Sequence, residues 1–221
     1  MSDDVRVIAM LTNFKFFALA YLSDWWQYDE NFVVGLRRPG NRRETLVRAA
    51  TYYQVIRSFA KKWDGGPQRL VKALKELDAV LASVNNTITP ANVDQTVTDL
   101  ATRLGSIYQK KGKPQNLVSA ASKFLWICRR RPVVIYDDRA KTCLIRMSAT
   151  PGTTYKSYRE AWHLEFPKYE ARIQSACLAL ANGSVKNFAP SSSAKRGLKS
   201  VVRKAWFHER VFDKFLWWNG L

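Results

Sequence analysis

The chain has 221 residues, 47% of them hydrophobic, and carries 36 Lys and Arg against 18 Asp and Glu for a formal net charge of +18. That apolar fraction excludes a disordered chain, and the length allows one larger domain or two small, intimately packed lobes. A field this positive attracts polyanions, because counterions released from phosphates drive binding, whereas no apolar run reaches the roughly 20 residues that span a bilayer.

Helical periodicity predominates along the chain. Val5–Leu22 reads as an apolar core helix interrupted by Asn13 and Lys15, and not as a signal peptide, since no small-residue cleavage site follows. Arg38-Pro39-Gly40 breaks the chain before a helix predicted over Arg42–Trp63, and Asp64-Gly65-Gly66-Pro67 separates this from Pro67–Val84. Thr89-Pro90 opens a helix over Asn92–Tyr108, and Gly112-Lys113-Pro114 turns the chain into Leu117–Arg130. Val133–Tyr136 is the only strand-like piece, too short to build a sheet. Helices over Arg139–Met147 and Tyr155–Ala181 flank a break at Pro151-Gly152. Asn182-Gly183 has the composition of a left-handed C-cap, and Gly183–Ala194 reads as a flexible loop. The last predicted helix, Lys195–Trp217, opens on a basic stretch of Lys195, Arg196, Lys199, Arg203 and Lys204. A solvated face and a phosphate contact explain that stretch equally well. The fold class is therefore mainly α, a compact multi-helix protein.

Cys128, Cys143 and Cys177 are odd in number and widely spaced, and only His163 and His208 could join them as ligands. No metal site is expected. The thiols read as buried apolar residues of a reducing compartment, with the cytoplasm as the default.

The segment from Asn116 to Ala140 carries the most chemistry. It opens a helix whose first turns are small (Ser119, Ala120, Ala121, Ser122), so that a backbone or ligand can approach closely. Lys123 follows on a helix whose other members, Phe124, Leu125, Ile127 and Cys128, are core-like. Desolvation and the nearby Arg129, Arg130 and Arg131 favour the neutral amine, the form in which a lysine acts as a nucleophile. The chain turns at Arg131-Pro132 and brings Asp137 and Asp138 to the start of the next helix. A carboxylate there accepts backbone N–H groups at the positive end of the helix dipole. Taken singly, a helical lysine is usually a solvated one, and an aspartate before a helix is usually a cap.

Turn, helix with an early lysine, short apolar loop and helix-opening aspartate together resemble the helix-hairpin-helix DNA glycosylase superfamily. The likeness is greatest to its 8-oxoguanine-glycosylase-like branch and covers about thirty residues, from Gly112 to Leu144. Lys123 matches the family's lysine, and Asp137, in Ile135-Tyr136-Asp137-Asp138-Arg139-Ala140, matches its aspartate. The family's Leu-Pro-Gly-Val-Gly hairpin is replaced by Lys113-Pro114-Gln115-Asn116-Leu117-Val118, so Lys110, Lys111 and Lys113 would supply by charge what glycine amides supply there. The interval from lysine to aspartate is shorter than the family's, and no iron–sulfur cysteine set is present.

The resemblance implies a single helical domain over residues 1–221. Two closely packed lobes, about 20–110 and 111–221 plus the N-terminal helix, would bound a cleft. It implies a monomer acting on double-stranded DNA without cofactor, metal or membrane. A target nucleotide would be flipped out of the duplex, attacked at C1′ by Lys123 with help from Asp137, and then left abasic or nicked. Phosphate contacts would come from Lys110, Lys111, Lys113, Arg129, Arg130, Arg131, Arg139, Lys195, Arg196 and Lys199. Trp126 and Trp162 lead the candidates for the base pocket, ahead of Trp25, Trp26 and Phe207. Charge and helices equally fit a non-catalytic nucleic-acid binder or a subunit of a larger nucleic-acid machine.

Overall fold

The computed structural model describes residues 13–55, 75, 77–79, 81–82, 87–107 and 113–221. Among these residues the regular elements are all helical. They divide into two compact units: a discontinuous one, built from the described residues up to Gln27 together with Asp137–Leu221, and an inserted one, Tyr28–Tyr136. The division differs from the predicted lobes, because residues 113–136 group with the segment that precedes them and not with the C-terminal half.

In the discontinuous unit, helix α1 (Phe14–Asp24) starts where the Asn13 side chain accepts the Phe16 N–H at 3.4 Å. It buries Phe14, Phe17, Ala18, Tyr21 and Leu22, the spacing of one helical face. That face packs on α8 (Pro167–Asn182) and α10 (Ala205–Asn219). On α10 nearly every side is enclosed, including Phe207, Val211, Phe212, Phe215 and Leu216. The Phe215 ring lies 5.2 Å from that of Phe14 and 5.7 Å from that of Phe17. Burying one such ring contributes roughly 1.5–3 kcal/mol. Helix α6 (Asp138–Arg146) packs on α10 and on α7 (Tyr155–Glu165). It ends through Ser148 in the left-handed region (φ 64°), with the Ala149 N–H returning to the Leu144 carbonyl at 3.0 Å.

Four sequence expectations change here. The predicted helix Tyr155–Ala181 is two helices, α7 and α8. Pro167 has no N–H to donate and would clash with the carbonyl four residues back, so α7 stops and α8 restarts with proline in its first turn. Gly183 does end α8, but in extended backbone (φ −90°, ψ 179°), not as a left-handed cap. The expected loop beyond it holds a 3-10 turn, Ser184–Phe188, and the N-cap of α9 (Ser192–Val201), where Ser191 Oγ accepts the Ala194 N–H at 3.1 Å. Finally, the predicted helix Lys195–Trp217 is divided into α9 and α10. Lys204 is extended at the break, and the His208 ring Nε2–H donates to the freed Val202 carbonyl at 2.8 Å.

A π-helical turn, Trp25–Asp29, carries the chain from α1 of the discontinuous unit into α2 (Glu30–Leu36) of the inserted one. A 3-10 turn (Pro39–Asn41) precedes α3 (Arg42–Tyr52). Gly35 lets α2 and α3 approach, since a Cβ there would strike the Thr45 side chain. Helix α3 stops short of the predicted Trp63, with Gln54 in the left-handed region (φ 56°); residues 56–63 lie outside the described set. Most of the predicted helix Pro67–Val84 does too, although Leu77 and Leu81 are buried and Asp78 Oδ1 pairs with Arg42 Nε at 2.7 Å. Before α4 (Val93–Ile107), the Asn92 side chain accepts the Thr89 N–H at 2.7 Å. Helix α4 buries Val93, Val97, Leu100, Ala101 and Leu104. It packs on α5 (Val118–Cys128), which also meets α2 and α3 and is buried from Ala120 to Ile127. The strand-like Val133–Tyr136 pairs with no strand among the described residues. Val133, Val134 and Ile135 are all buried in succession, without the alternation of a half-exposed strand.

Candidate functional site

The small residues at the start of α5 place polar groups inside the inserted unit. Ser122 is fully buried. Its hydroxyl donates to the Ser119 carbonyl at 3.2 Å and accepts the Tyr136 N–H at 3.0 Å, tying the extended segment after Pro132 to the helix. One residue on, Lys123 is only 8% exposed, and its Nζ donates to Ser119 Oγ at 3.0 Å. The spacing of four residues stacks lysine and serine on one helix face. A lysine almost never lies this deep without bonded company, so its enclosure is the informative observation.

Tyr136 directly precedes Asp137, the N-cap of α6, whose Oδ1 accepts the Arg139 N–H at 3.0 Å. Lys123 belongs to the inserted unit, and Asp137 opens the second segment of the discontinuous one. Within the latter, the charge of Asp137 also acts on Asp213 of α10. Burial pushes the Asp213 carboxyl up from its ordinary value, and Arg210 and the Trp162 N–H pull it only part of the way back. Asp213 accepts from Trp162 Nε1 at 2.8 Å and from Arg210 Nη1 at 2.9 Å.

The remaining candidates are divided between the units. Lys113, Arg129 and Arg131 are exposed and Arg130 half-buried in the inserted unit, whereas Lys110 and Lys111 lie outside the described residues. In the discontinuous unit, the Arg139 guanidinium sits over the Trp217 ring at 4.5 Å. Lys195, Arg196 and Lys199 project from α9 into solvent. Neither base-pocket tryptophan is exposed. Trp126 is buried in α5, and Trp162 is stacked on Phe166 at 4.9 Å with its N–H committed to Asp213. A ring face already covered by core is not open to a flipped base, and Phe207 and Trp25 are buried as well.

Burial pushes all three thiols up to about 12, Cys128 through desolvation against a smaller opposing effect of Arg42. They stay protonated at neutral pH and unreactive. Among the described residues, no helix is long and apolar enough to cross a membrane.

Sequence reasoning noticed the small residues around Lys123 but not that Ser119 binds its amine or that Ser122 anchors Tyr136. The i, i+4 spacing was the available signal for the first; nothing local announces the second. It also passed over Phe188, a lone aromatic in a Ser/Pro-rich stretch. Comparison with protein-family models, curated proteins and solved structures finds no match to this chain.

Proposed function

We propose that this chain is a DNA-binding protein that excises a damaged or modified base, with Lys123 as the amine nucleophile and Asp137 as its carboxylate. The observation that supports it is the enclosed Lys123, its amine bonded to Ser119 Oγ on a helix of small residues. In the proposed reaction the neutral amine attacks the sugar C1′ and the glycosidic C–N bond breaks. The electron pair departs with the base, which takes up a proton. The amine nitrogen gives up one of its two protons, the C1′–O4′ bond breaks and O4′ takes up a proton, so that the ring opens to a protonated Schiff base. Asp137 stabilises the positive charge that builds on the sugar and relays these protons. Water then releases Lys123 and leaves an abasic site, or β-elimination breaks the 3′ C–O bond.

Borohydride reduces a Schiff base to a stable amine, so incubation with abasic-site and modified-base duplexes should yield a covalent complex. Lys123→Gln should abolish it while still binding the same DNA, and Asp137→Asn should slow its formation by on the order of 10²-fold. Absence of an adduct across the substrate panel, or an undiminished adduct in Lys123→Gln, would overturn the reaction. A second reading, nucleic-acid binding without chemistry, is favoured by the solvent-facing basic residues of α9. It predicts affinity that declines steeply with salt and gradually with each basic residue removed, and no adduct.

A further inference from the structure

The discontinuous unit carries a second feature that the chemistry at Lys123 does not use. Phe188, at the end of the 3-10 turn, is 80% exposed, more than any other large apolar side chain described. The turn packs on α8 and on α9. On α9, Leu198 is buried, as is Val202 just beyond it, while Lys195, Arg196 and Lys199 are exposed. At 100° per residue those three cations span about a quarter of the helix circumference, in an arc that runs from about 60° to about 160° away from Leu198. Lys186 in the turn and Arg203 and Lys204 after the helix are exposed too. Every charge from Ser184 to Lys204 is positive, and among the described residues none of these six pairs with a carboxylate. Lys195 and Lys199 stand at i, i+4, where like charges repel; a bound polyanion would relieve that repulsion.

We infer that the Ser184–Phe188 turn and α9 form a contact site for single-stranded nucleic acid. Phe188 stacks on an unpaired base, and Lys186, Lys195, Arg196 and Lys199 hold the phosphates that flank it. A basic surface with an accessible aromatic ring is the combination that binds strands whose bases are unstacked, and a duplex offers phosphates but no free base face. An anionic bilayer fits less well. A helix lying in a membrane interface turns a broad apolar face outward, whereas the apolar side of α9 is buried inward. The inference rests on the nucleic-acid reading above but not on Lys123.

The test uses fluorescence anisotropy of the whole chain with labelled oligothymidylate, with a duplex of equal length, and with phosphatidylcholine–phosphatidylserine vesicles. Phe188→Ala should weaken oligothymidylate binding roughly tenfold and leave duplex binding unchanged. Its exposed position makes misfolding a minor concern, which circular dichroism checks. Lys195→Ala with Lys199→Ala should weaken both nucleic acids and lower the salt slope by about the two phosphates released. If the wild type binds nucleic acid and these variants bind it equally well, the site is wrong and the broader reading stands. If the wild type binds neither nucleic acid at low salt, both fail. If Phe188→Ala loses only vesicle binding, the surface is a lipid contact and the inference is overturned.

Discussion

Helices α5 and α10 are each enclosed on nearly every side, one in the inserted unit and the other in the discontinuous one. They treat buried polar groups differently. On α10 the polar residues are consumed internally: Asp213 takes hydrogen bonds from Arg210 and Trp162, Arg210 lies over the Tyr21 ring at 5.2 Å, and His208 caps the end of α9. On α5 they serve the chain that follows, because Ser122 fixes Tyr136 immediately before the Asp137 cap. The contrast separates polar groups that close on the core around them from a serine that ties its helix to the segment that follows. Depth of burial alone would not tell the two helices apart, since Asp213 is 7% and Lys123 8% exposed.

The largest effect should come from breaking the α10 arrangement. Asp213→Ala strands Arg210 and the Trp162 N–H in the core, and urea denaturation should show a loss of roughly 3–5 kcal/mol. A loss under about 1 kcal/mol would mean that the pair does not hold the unit. Ser122→Ala on α5 leaves the Tyr136 N–H without its acceptor and should cost about 1–3 kcal/mol. The sharper readout is a fall in Schiff-base trapping beyond any fall in DNA affinity, because the path to Asp137 is loosened. Equal falls in both would reduce Ser122 to a stability residue.

The smallest effect concerns His208, whose imidazole burial pushes below its ordinary value of 6.5, although its bond to Val202 opposes the shift. The unfolded chain then binds a proton that the folded chain resists. Stability should be full above about pH 6.5 and fall as pH drops below it, until the native imidazole titrates. Thermal unfolding of wild type and His208→Gln between pH 7 and 5 checks this, and the variant should show the shallower decline. Identical slopes would remove His208 from the account.

Much of the helical order was legible because periodicity and breakers act locally. Val93, Val97, Leu100 and Leu104 announce α4, and Pro39-Gly40 announces the start of α3. The errors fall where a distant group completes the backbone. No proline or glycine marks the break between α9 and α10, because His208 satisfies the freed carbonyl from the next helix. Short α2 carries two adjacent valines and a glycine, a poor helix pattern, and the glycine is there for its contact with Thr45. At the site, Lys123 and the Asp137 cap could be read from spacing. The burial of Trp126 and Trp162 could not, since a tryptophan in a basic helical chain suits a pocket wall and a core equally.

The division of the discontinuous unit also constrains the order in which the protein can fold during synthesis. Helix α1 leaves the ribosome before its partners, since the surfaces that cover Phe14, Phe17 and Tyr21 belong to α8 and α10, more than a hundred residues later. The inserted unit has all its own partners in hand once Tyr136 has emerged. It can therefore fold while α1 still waits with its aromatic face in water. For that interval the nascent chain presents a sticky apolar segment, a natural target for holding chaperones, which is relieved only when α10 arrives.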